Sequence, residues 1–225
     1  MGELARITVA KAGVPECLCG GHGGWYYARD DQDREIVRPC PGCRSRRLTA
    51  QFGDDEPHTW ANWSPRAKLV GAVAQLRRWR GGEQWSCLLH PAADVDNKGS
   101  GKTHAAEAVG HEWLARGWAV RYLGMPEFIT ALRASFDDQE RRRPALPVEF
   151  DGLLILDDVG VGKAFPTVQE LLDGLAFHRR RHLLPTLICT NKDLTQLEAE
   201  FPRLVDRCKE GLLVEWSASS WRGRS

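Results

Sequence analysis

The chain has 225 residues, 42% of them hydrophobic and 27% charged, values that permit a packed core and exclude wholesale disorder. Its formal net charge is +1, which excludes nucleic-acid binding driven by overall charge. No apolar run approaches the roughly 18 residues of a membrane span. The first residues, with an acidic Glu3 and no sustained apolar core, are unlike a signal peptide. We therefore expect a cytoplasmic protein that has no membrane contact.

Arginines cluster at four places in the sequence, and these are the candidate sites for local contact with nucleic acid. Each cluster is more simply explained as a solvated face of the protein. The clusters are Arg44/Arg46/Arg47, Arg77/Arg78/Arg80, Arg141–Arg143 and Arg179–Arg181.

Four of the seven cysteines form two close pairs near the amino terminus, Cys17-x-Cys19 and Cys40-x2-Cys43. In a reducing compartment such pairs hold a metal more often than they form disulfides, and four thiolates suit tetrahedral Zn²⁺. The first pair is tighter than a usual CxxC, which leaves His22 as a substitute ligand for Cys17. The alternative is a coincidence of spacing.

The residues between the cysteine pairs alternate as a β-hairpin does, with WYYA, a polar tip and EIVR. Because this segment is too small to bury a core, a metal would supply its folding energy. We expect residues 1–50 to form a zinc-binding module that docks on a partner, followed by a linker at 51–59. The isolated cysteines are predicted to be buried thiols: Cys87, Cys189 and Cys208.

From residue 60 to 225 the pattern changes to helices alternating with short apolar strands, which predicts one doubly wound α/β domain with a parallel sheet. The predicted strands are WSCLLH, WAVRYLG, DGLLILDDVG and PTLICTN. The predicted helices lie in SPRAKLVGAVAQLRRWR, THAAEAVGHEWLARG and MPEFITALRASF, and over 167–182.

A phosphate-binding loop is predicted between the first of these strands and its helix. Against G-x-x-x-x-G-K-[ST] the chain has Asp96 in place of the first glycine, then Gly101, Lys102 and Thr103. Glycines let backbone N–H groups face phosphates, Lys102 would reach the β- and γ-phosphates, and Thr103 would offer its hydroxyl to Mg²⁺. The predicted nucleotide-binding residues of this loop are Gly99, Ser100, Gly101, Lys102, Thr103 and His104.

Two further strands end in polar residues that this chemistry requires. LLILDD supplies Asp157 for Mg²⁺ and Asp158 to orient or activate the attacking water. LICTN supplies Thr190 and Asn191, which could bond the γ-phosphate and that water. Taken alone, each motif could instead be an ordinary buried strand that ends at a polar loop, with no role in nucleotide binding.

These motifs resemble the AAA+ ATPases of the DnaC/DnaI-like helicase-loader group and the related IstB-type transposition helpers. The resemblance covers about residues 60–222 and includes GSGKTHAA, LLILDDVG, LPTLICTN, PRLVDRC and the terminal SSWR. HTWANW is similar to an aromatic pair that precedes the core in such proteins, and zinc-binding segments also occur there. The resemblance implies an AAA+ fold, ATP with Mg²⁺, and assembly into an oligomer.

The resemblance also implies roles for three arginines. Arg207 matches the arginine that reaches a neighbouring subunit's ATP, with Arg203 as the alternative, and Arg222 matches the one that senses nucleotide in its own subunit. The chain departs from the family in its first loop position and in Asp158, where many relatives have Glu. The missing glycine and the extended loop would either weaken ATP affinity or make the pocket open only in an assembly, and the shorter reach of Asp158 would slow hydrolysis.

The resemblance implies a loader of the replicative DNA helicase that binds single-stranded DNA and docks on the helicase through the zinc module. A transposition ATPase acting on duplex DNA shares the same core motifs. A nucleotide-binding adaptor with little turnover is the third alternative, favoured by the unusual loop.

Overall fold

The computed structural model describes residues 18, 25–29, 33, 35–40, 58–63, 67–93, 98–137, 146–162 and 165–218. Several sequence predictions fall outside these residues: those for Cys17, Cys19, His22, Cys43 and Arg222.

The predicted amino-terminal hairpin is confirmed. Strands β1 (Trp25–Arg29) and β2 (Glu35–Pro39) pair antiparallel, with Trp25 opposite Pro39 and Arg29 opposite Glu35. An exposed ion pair joins Arg29 to Asp33 at the tip, at 2.9 Å. The alternation of apolar and polar residues therefore indicated this element correctly.

A parallel sheet forms the centre of the main domain, as predicted, and it has five strands, one more than the four that the sequence analysis named. Its strands lie in the order β4-β5-β6-β3-β7, and every pairing among them is parallel. The strands are β3 (Ser86–His90), β4 (Val120–Gly124), β5 (Leu153–Val159), β6 (Thr186–Thr190) and β7 (Leu212–Glu215).

Helices connect these strands at nearly the predicted positions. The first begins at Val70 after a short 3-10 turn, and the second ends at Ala115, slightly before Gly117. The helices are α1 (Val70–Arg78), α2 (Lys102–Ala115), α3 (Met125–Asp137), α4 (Pro166–Arg181), α5 (Leu194–Glu200) and α6 (Pro202–Cys208).

The sheet is covered on both faces, which explains why its central strands are apolar at consecutive positions. One buried cluster joins the sheet to α3, α4, α5 and α6, and a second joins it to α1 and α2. β3 and β6 are buried along their whole length. The predicted doubly wound α/β arrangement is therefore present in the described core.

The three isolated cysteines are buried, as predicted. Burial raises the pKa of the Cys87, Cys189 and Cys208 thiols, which keeps them protonated and unreactive. Among the helices that the structure describes, none is both long and apolar enough to cross a membrane.

Arg179 departs from the interpretation of its cluster as a solvated face. Its side chain is fully buried, and its guanidinium donates to the Thr186 hydroxyl and to the carbonyls of Phe150, Gly152 and Pro185, at 2.7–2.9 Å. The acceptors surround the amino ends of β5 and β6. Arg179 is thus an internal cross-link of the sheet.

Candidate nucleotide-binding site

The candidate site lies where the carboxyl ends of β3, β5 and β6 meet. α2 begins at Lys102, and the two residues that precede its first turn, Gly99 and Gly101, have φ values of 69° and 90°. Residues with side chains rarely adopt such angles, so glycine is required at this turn. The backbone therefore turns sharply into a 14-residue helix whose N-terminus can face phosphates. Asp96 lies outside the described residues.

Lys102 is largely buried, with 6% of its surface exposed. Its ammonium group donates to the Ser100 hydroxyl at 3.3 Å, and the indole N–H of Trp216 donates to the Ser100 carbonyl at 3.3 Å. A buried lysine held at a helix N-terminus is placed to bind an anion.

The Asp157 carboxylate is contacted through both of its oxygens. The Thr103 hydroxyl donates to Oδ2 at 2.8 Å, and the backbone N–H of Asp158 donates to Oδ1 at 2.9 Å. Because the Thr103 proton is committed to Asp157, the lone pairs of its hydroxyl oxygen remain available to a metal. The two oxygen ligands predicted for Mg²⁺ are thus adjacent.

Asp158 lies beside Asn191, whose side-chain amide donates to its Oδ1 at 2.8 Å. Asp158 has a left-handed backbone, φ 57°, where the register between β5 and β6 shifts. Burial and then the neighbouring Asp157 raise the pKa of Asp158, while Lys102 and the bond from Asn191 oppose this rise. A carboxylate with a raised pKa can act as a general base.

The contacts of Thr190 differ from the predicted bond to the γ-phosphate or the attacking water. Its hydroxyl is buried and donates to the Val159 carbonyl at 2.7 Å, so it stabilises the irregular pairing of β5 with β6. Of the two polar residues at the end of LICTN, it is Asn191 that the structure brings to Asp158.

His104, predicted to bind nucleotide, contacts a segment that precedes the core. Its Nε2 donates to the Thr59 carbonyl at 3.1 Å, and its ring lies 4.3 Å from that of His58. Burial lowers the pKa of His104, so the neutral imidazole is favoured.

The segment His58–Trp63, here called the strap, packs along α2. His58 Nδ1 lies 2.6 Å from the buried carboxylate of Glu107, and the Trp60 indole N–H donates to Glu112 at 3.0 Å. The ring of Trp63 stacks on that of Trp216, with 5.6 Å between centroids. His58 and Thr59, at the end of the predicted linker, therefore contact the core.

Tyr122 was not identified from the sequence, although its hydroxyl donates to Oδ2 of Asp157 at 2.8 Å. No sequence motif contains it. The available signal was its position on the strand that pairs with LLILDD, two residues before the end of that strand.

The two candidate arginines of α6 lie on one side of this helix. The Arg203 guanidinium is highly exposed and lies 3.9 Å from Asp173. The Arg207 guanidinium lies 5.7 Å from the centre of the Phe177 ring and donates to the Arg203 carbonyl at 3.1 Å.

Cys40 is the one predicted zinc ligand within the described residues. It is buried, and its sulfur accepts the backbone N–H of Leu18, which lies between Cys17 and Cys19, at 3.2 Å. This contact brings the backbone of Leu18 to a thiol of the second cysteine pair. Within the described residues no group of three or more His, Cys, Asp or Glu side chains is arranged to hold a metal ion.

Curated relatives share the predicted likeness in sequence. The chain is 29% identical over 129 residues to the uncharacterized protein YdaV of Escherichia coli (strain K12), covering 55% of this chain and 52% of that protein. It is 27% identical to the replicative helicase loader DnaC of the same strain, with 56% and 54% covered. For the replicative helicase loader DnaI of Bacillus subtilis the identity is 28%, with 46% and 33% covered.

Solved structures share the fold. The DnaC helicase loader superposes with a TM-score of 0.55 at 18% identity, covering 71% of this chain and 97% of that one. AMPPCP-bound DnaA from Aquifex aeolicus gives 0.55 at 22%, covering 72% and 50%. No protein-family model matches the chain.

The comparisons confirm the likeness to the DnaC/DnaI helicase loaders, and the described domain has an α/β fold with a five-stranded parallel sheet, as the solved DnaC structure does. The chain spans about half the length, or less, of the curated relatives it matches.

Proposed function

We propose that this chain is an ATP-dependent loader of the replicative DNA helicase. The observation that carries the proposal is a continuous set of contacts, Thr103 to Asp157 to Asp158 to Asn191, at the edge of a core that resembles the DnaC loader. Thr103 comes from α2 and follows Lys102 directly, Asp157 and Asp158 come from β5, and Asn191 comes from the turn after β6.

The side chains present fit ATP and Mg²⁺. Hydroxyl and carboxylate oxygens of Thr103 and Asp157 would hold Mg²⁺, which neutralises charge on the phosphates. Lys102 and the backbone of Gly99–Gly101 would bind the phosphates. Asp158, oriented by Asn191, would accept the proton of the attacking water.

Hydrolysis would depend on assembly, since an arginine from a second copy would stabilise the charge that develops in the transition state. Arg207 is our first candidate and Arg203 the second. Both arginines lie on α6, which is separate in sequence from the phosphate-binding residues of their own subunit. Arg222 would complete the site within its own subunit.

We further propose that residues 1–50 hold Zn²⁺ through Cys17, Cys19, Cys40 and Cys43 and dock on the helicase. The contact between Leu18 and Cys40 supports this pairing of the two cysteine pairs. Single-stranded DNA is the proposed second partner, and a cytoplasmic location fits both partners.

The test is to mix the full chain with the replicative helicase of its own host, with ATP and Mg²⁺, and to measure complex formation and helicase transfer to single-stranded DNA. Lys102→Ala is the control for nucleotide dependence, and Lys68→Ala is the matched control for loss of a lysine.

A complex that forms with wild type and with Lys68→Ala, and transfers helicase only when Lys102 is present, is the expected result. The absence of a complex, together with ATP-dependent assembly on duplex DNA, would instead identify a transposition helper. If the chain binds ATP but hydrolyses none, either with the helicase or with duplex DNA, that result would identify an adaptor.

A further inference from the structure

Three donors surround the Asp157 carboxylate, and one of them lies outside the motifs of the proposed nucleotide site. The Thr103 hydroxyl and the Tyr122 hydroxyl both reach Oδ2, each at 2.8 Å, while the Asp158 N–H reaches Oδ1 at 2.9 Å. Thr103 and Asp158 belong to the loop and to LLILDD. Tyr122 belongs to β4.

The sheet register explains why a tyrosine reaches this carboxylate. Tyr122 pairs with Ile155 and Gly124 pairs with Asp157, so Tyr122 lies two residues below Asp157 on the neighbouring strand. Residues two apart on a strand share a face and are about 7 Å apart. A phenol ring spans that distance along the strand and places its hydroxyl at the carboxylate, where a shorter side chain would not reach.

The bond adds to the restraint that Thr103 and the Asp158 N–H already place on the Asp157 carboxylate. The terminal χ2 torsion of an aspartate is broad, so each further donor narrows the range over which the carboxylate can turn. With Thr103 and Tyr122 on one oxygen and a backbone N–H on the other, the plane of the carboxylate is determined. Burial, followed by the charge of Asp157, raises the pKa of Tyr122, so the phenol stays protonated and acts as a donor throughout the working pH range.

We propose that Tyr122 is a positioning residue that orients Asp157, and through it the Thr103 hydroxyl, toward Mg²⁺. Tyr122 would act on Mg²⁺ through its hydrogen bond to Asp157. This role rests on the proposed function, because it requires a nucleotide bound with Mg²⁺ at this site.

Tyr122→Phe tests the role, since it removes the hydroxyl and keeps the ring. Affinity for a fluorescent ATP analogue is measured in EDTA and across a Mg²⁺ titration, with Tyr27→Phe as the control for a hydroxyl lost from the hairpin. We expect the Mg²⁺ concentration for half-maximal effect to rise about three- to ten-fold, as the net loss of one ordinary hydrogen bond predicts. Affinity in EDTA should not change.

The ratio of the two affinities, with Mg²⁺ and in EDTA, is the decisive readout for each variant. A change that only loosened the fold would lower affinity equally with and without Mg²⁺, and that result would overturn the proposal.

Wild type and Lys102→Ala separate this inference from the function on which it rests. If wild type binds the analogue with Mg²⁺, Lys102→Ala does not, and Tyr122→Phe has an unchanged Mg²⁺ requirement, the role of Tyr122 alone is overturned. If wild type binds no nucleotide, the proposed function falls, and the inference falls with it.

Discussion

The two ends of the central sheet both contain buried charge, but they arrange it differently. At the amino end, one guanidinium, Arg179, donates to five neighbouring acceptors around β5 and β6. At the carboxyl end, two carboxylates, Asp157 and Asp158, are adjacent, and Lys102 lies near enough to lower the pKa of the second. The first end surrounds a single charge with dipoles. The second concentrates like charges.

The contrast between the two ends of the sheet indicates which buried charges stabilise the fold. Burial lowers the pKa of Arg179 to about 10, still far above neutrality, so the group remains charged and its hydrogen bonds persist. Burial and like charge raise the pKa of Asp158, a cost that a purely structural site would avoid. This contrast supports a structural role for the amino end and fits the role in hydrolysis that we propose for the carboxyl end.

The largest expected effect is that of Asp158→Asn on hydrolysis, which should fall about 10²- to 10⁴-fold because a general base is lost. ATP affinity should remain. The free energy of unfolding should stay the same or rise, since a desolvated charge next to Asp157 is removed. Steady-state phosphate release and urea denaturation measure the two quantities. A variant that hydrolyses ATP at the wild-type rate would remove Asp158 from the mechanism.

The pH dependence of ATP hydrolysis is a second test of the role of Asp158. Only the ionised form of Asp158 can accept a proton, and its pKa lies above the ordinary 3.8. Hydrolysis should therefore decline as the pH falls through this raised pKa, at a higher pH than an unperturbed carboxyl would give. Asp158→Asn should lose this acid limb.

Arg179→Ala should act on stability instead. Removing it leaves carbonyls of Phe150 and Gly152 buried, and we expect the free energy of unfolding to fall by about 3–5 kcal/mol. The matched control is Arg180→Ala, since the adjacent Arg180 makes an exposed ion pair with Glu210. Loss of this ion pair should lower the free energy of unfolding by less than about 1 kcal/mol. Equal effects of the two substitutions in urea denaturation would show that Arg179 is no cross-link.

Lys102→Ala should weaken ATP binding about 50-fold or more, because a charge-assisted contact with phosphate is lost. The unfolding transition should be nearly unchanged. Isothermal titration with ATP and Mg²⁺ checks the affinity. Undiminished binding would remove the phosphate-binding assignment of this loop.

The smallest effect on the core is expected from Cys40→Ser. It should release zinc from the purified protein while ATP affinity remains, because the cysteine pairs are far in sequence from the predicted phosphate-binding loop. Metal analysis of wild type comes first, and Cys189→Ser is the control for loss of a buried thiol. A wild-type protein without zinc would show that the cysteine spacing was misinterpreted.

Local patterns predicted most of the fold and the motifs of the candidate site. Alternation, apolar runs and glycine position gave the hairpin, the strands, the helices and the placement of Lys102 and Asp157. Contacts between distant segments escaped prediction. Tyr122 on β4 reaches Asp157 on the neighbouring strand β5. Arg179 is surrounded by carbonyls from two loops. The Thr190 hydroxyl bonds across the irregular pairing of β5 with β6, which no local signal indicates. The strap had an aromatic signature, but its contacts with α2 required the fold.

The position of β3 determines when the nucleotide site can form during synthesis. β3 pairs Ser86 with Thr186 on one side and Cys87 with Leu212 on the other. Both partner strands leave the ribosome long after the phosphate-binding turn has emerged. Until then, the edges of β3 lack the strands that hold them in the native sheet. Assembly of this region is therefore a late folding event that depends on contacts distant in sequence. During translation the apolar strand β3 stays exposed, and chaperones or rapid folding must protect it from aggregation.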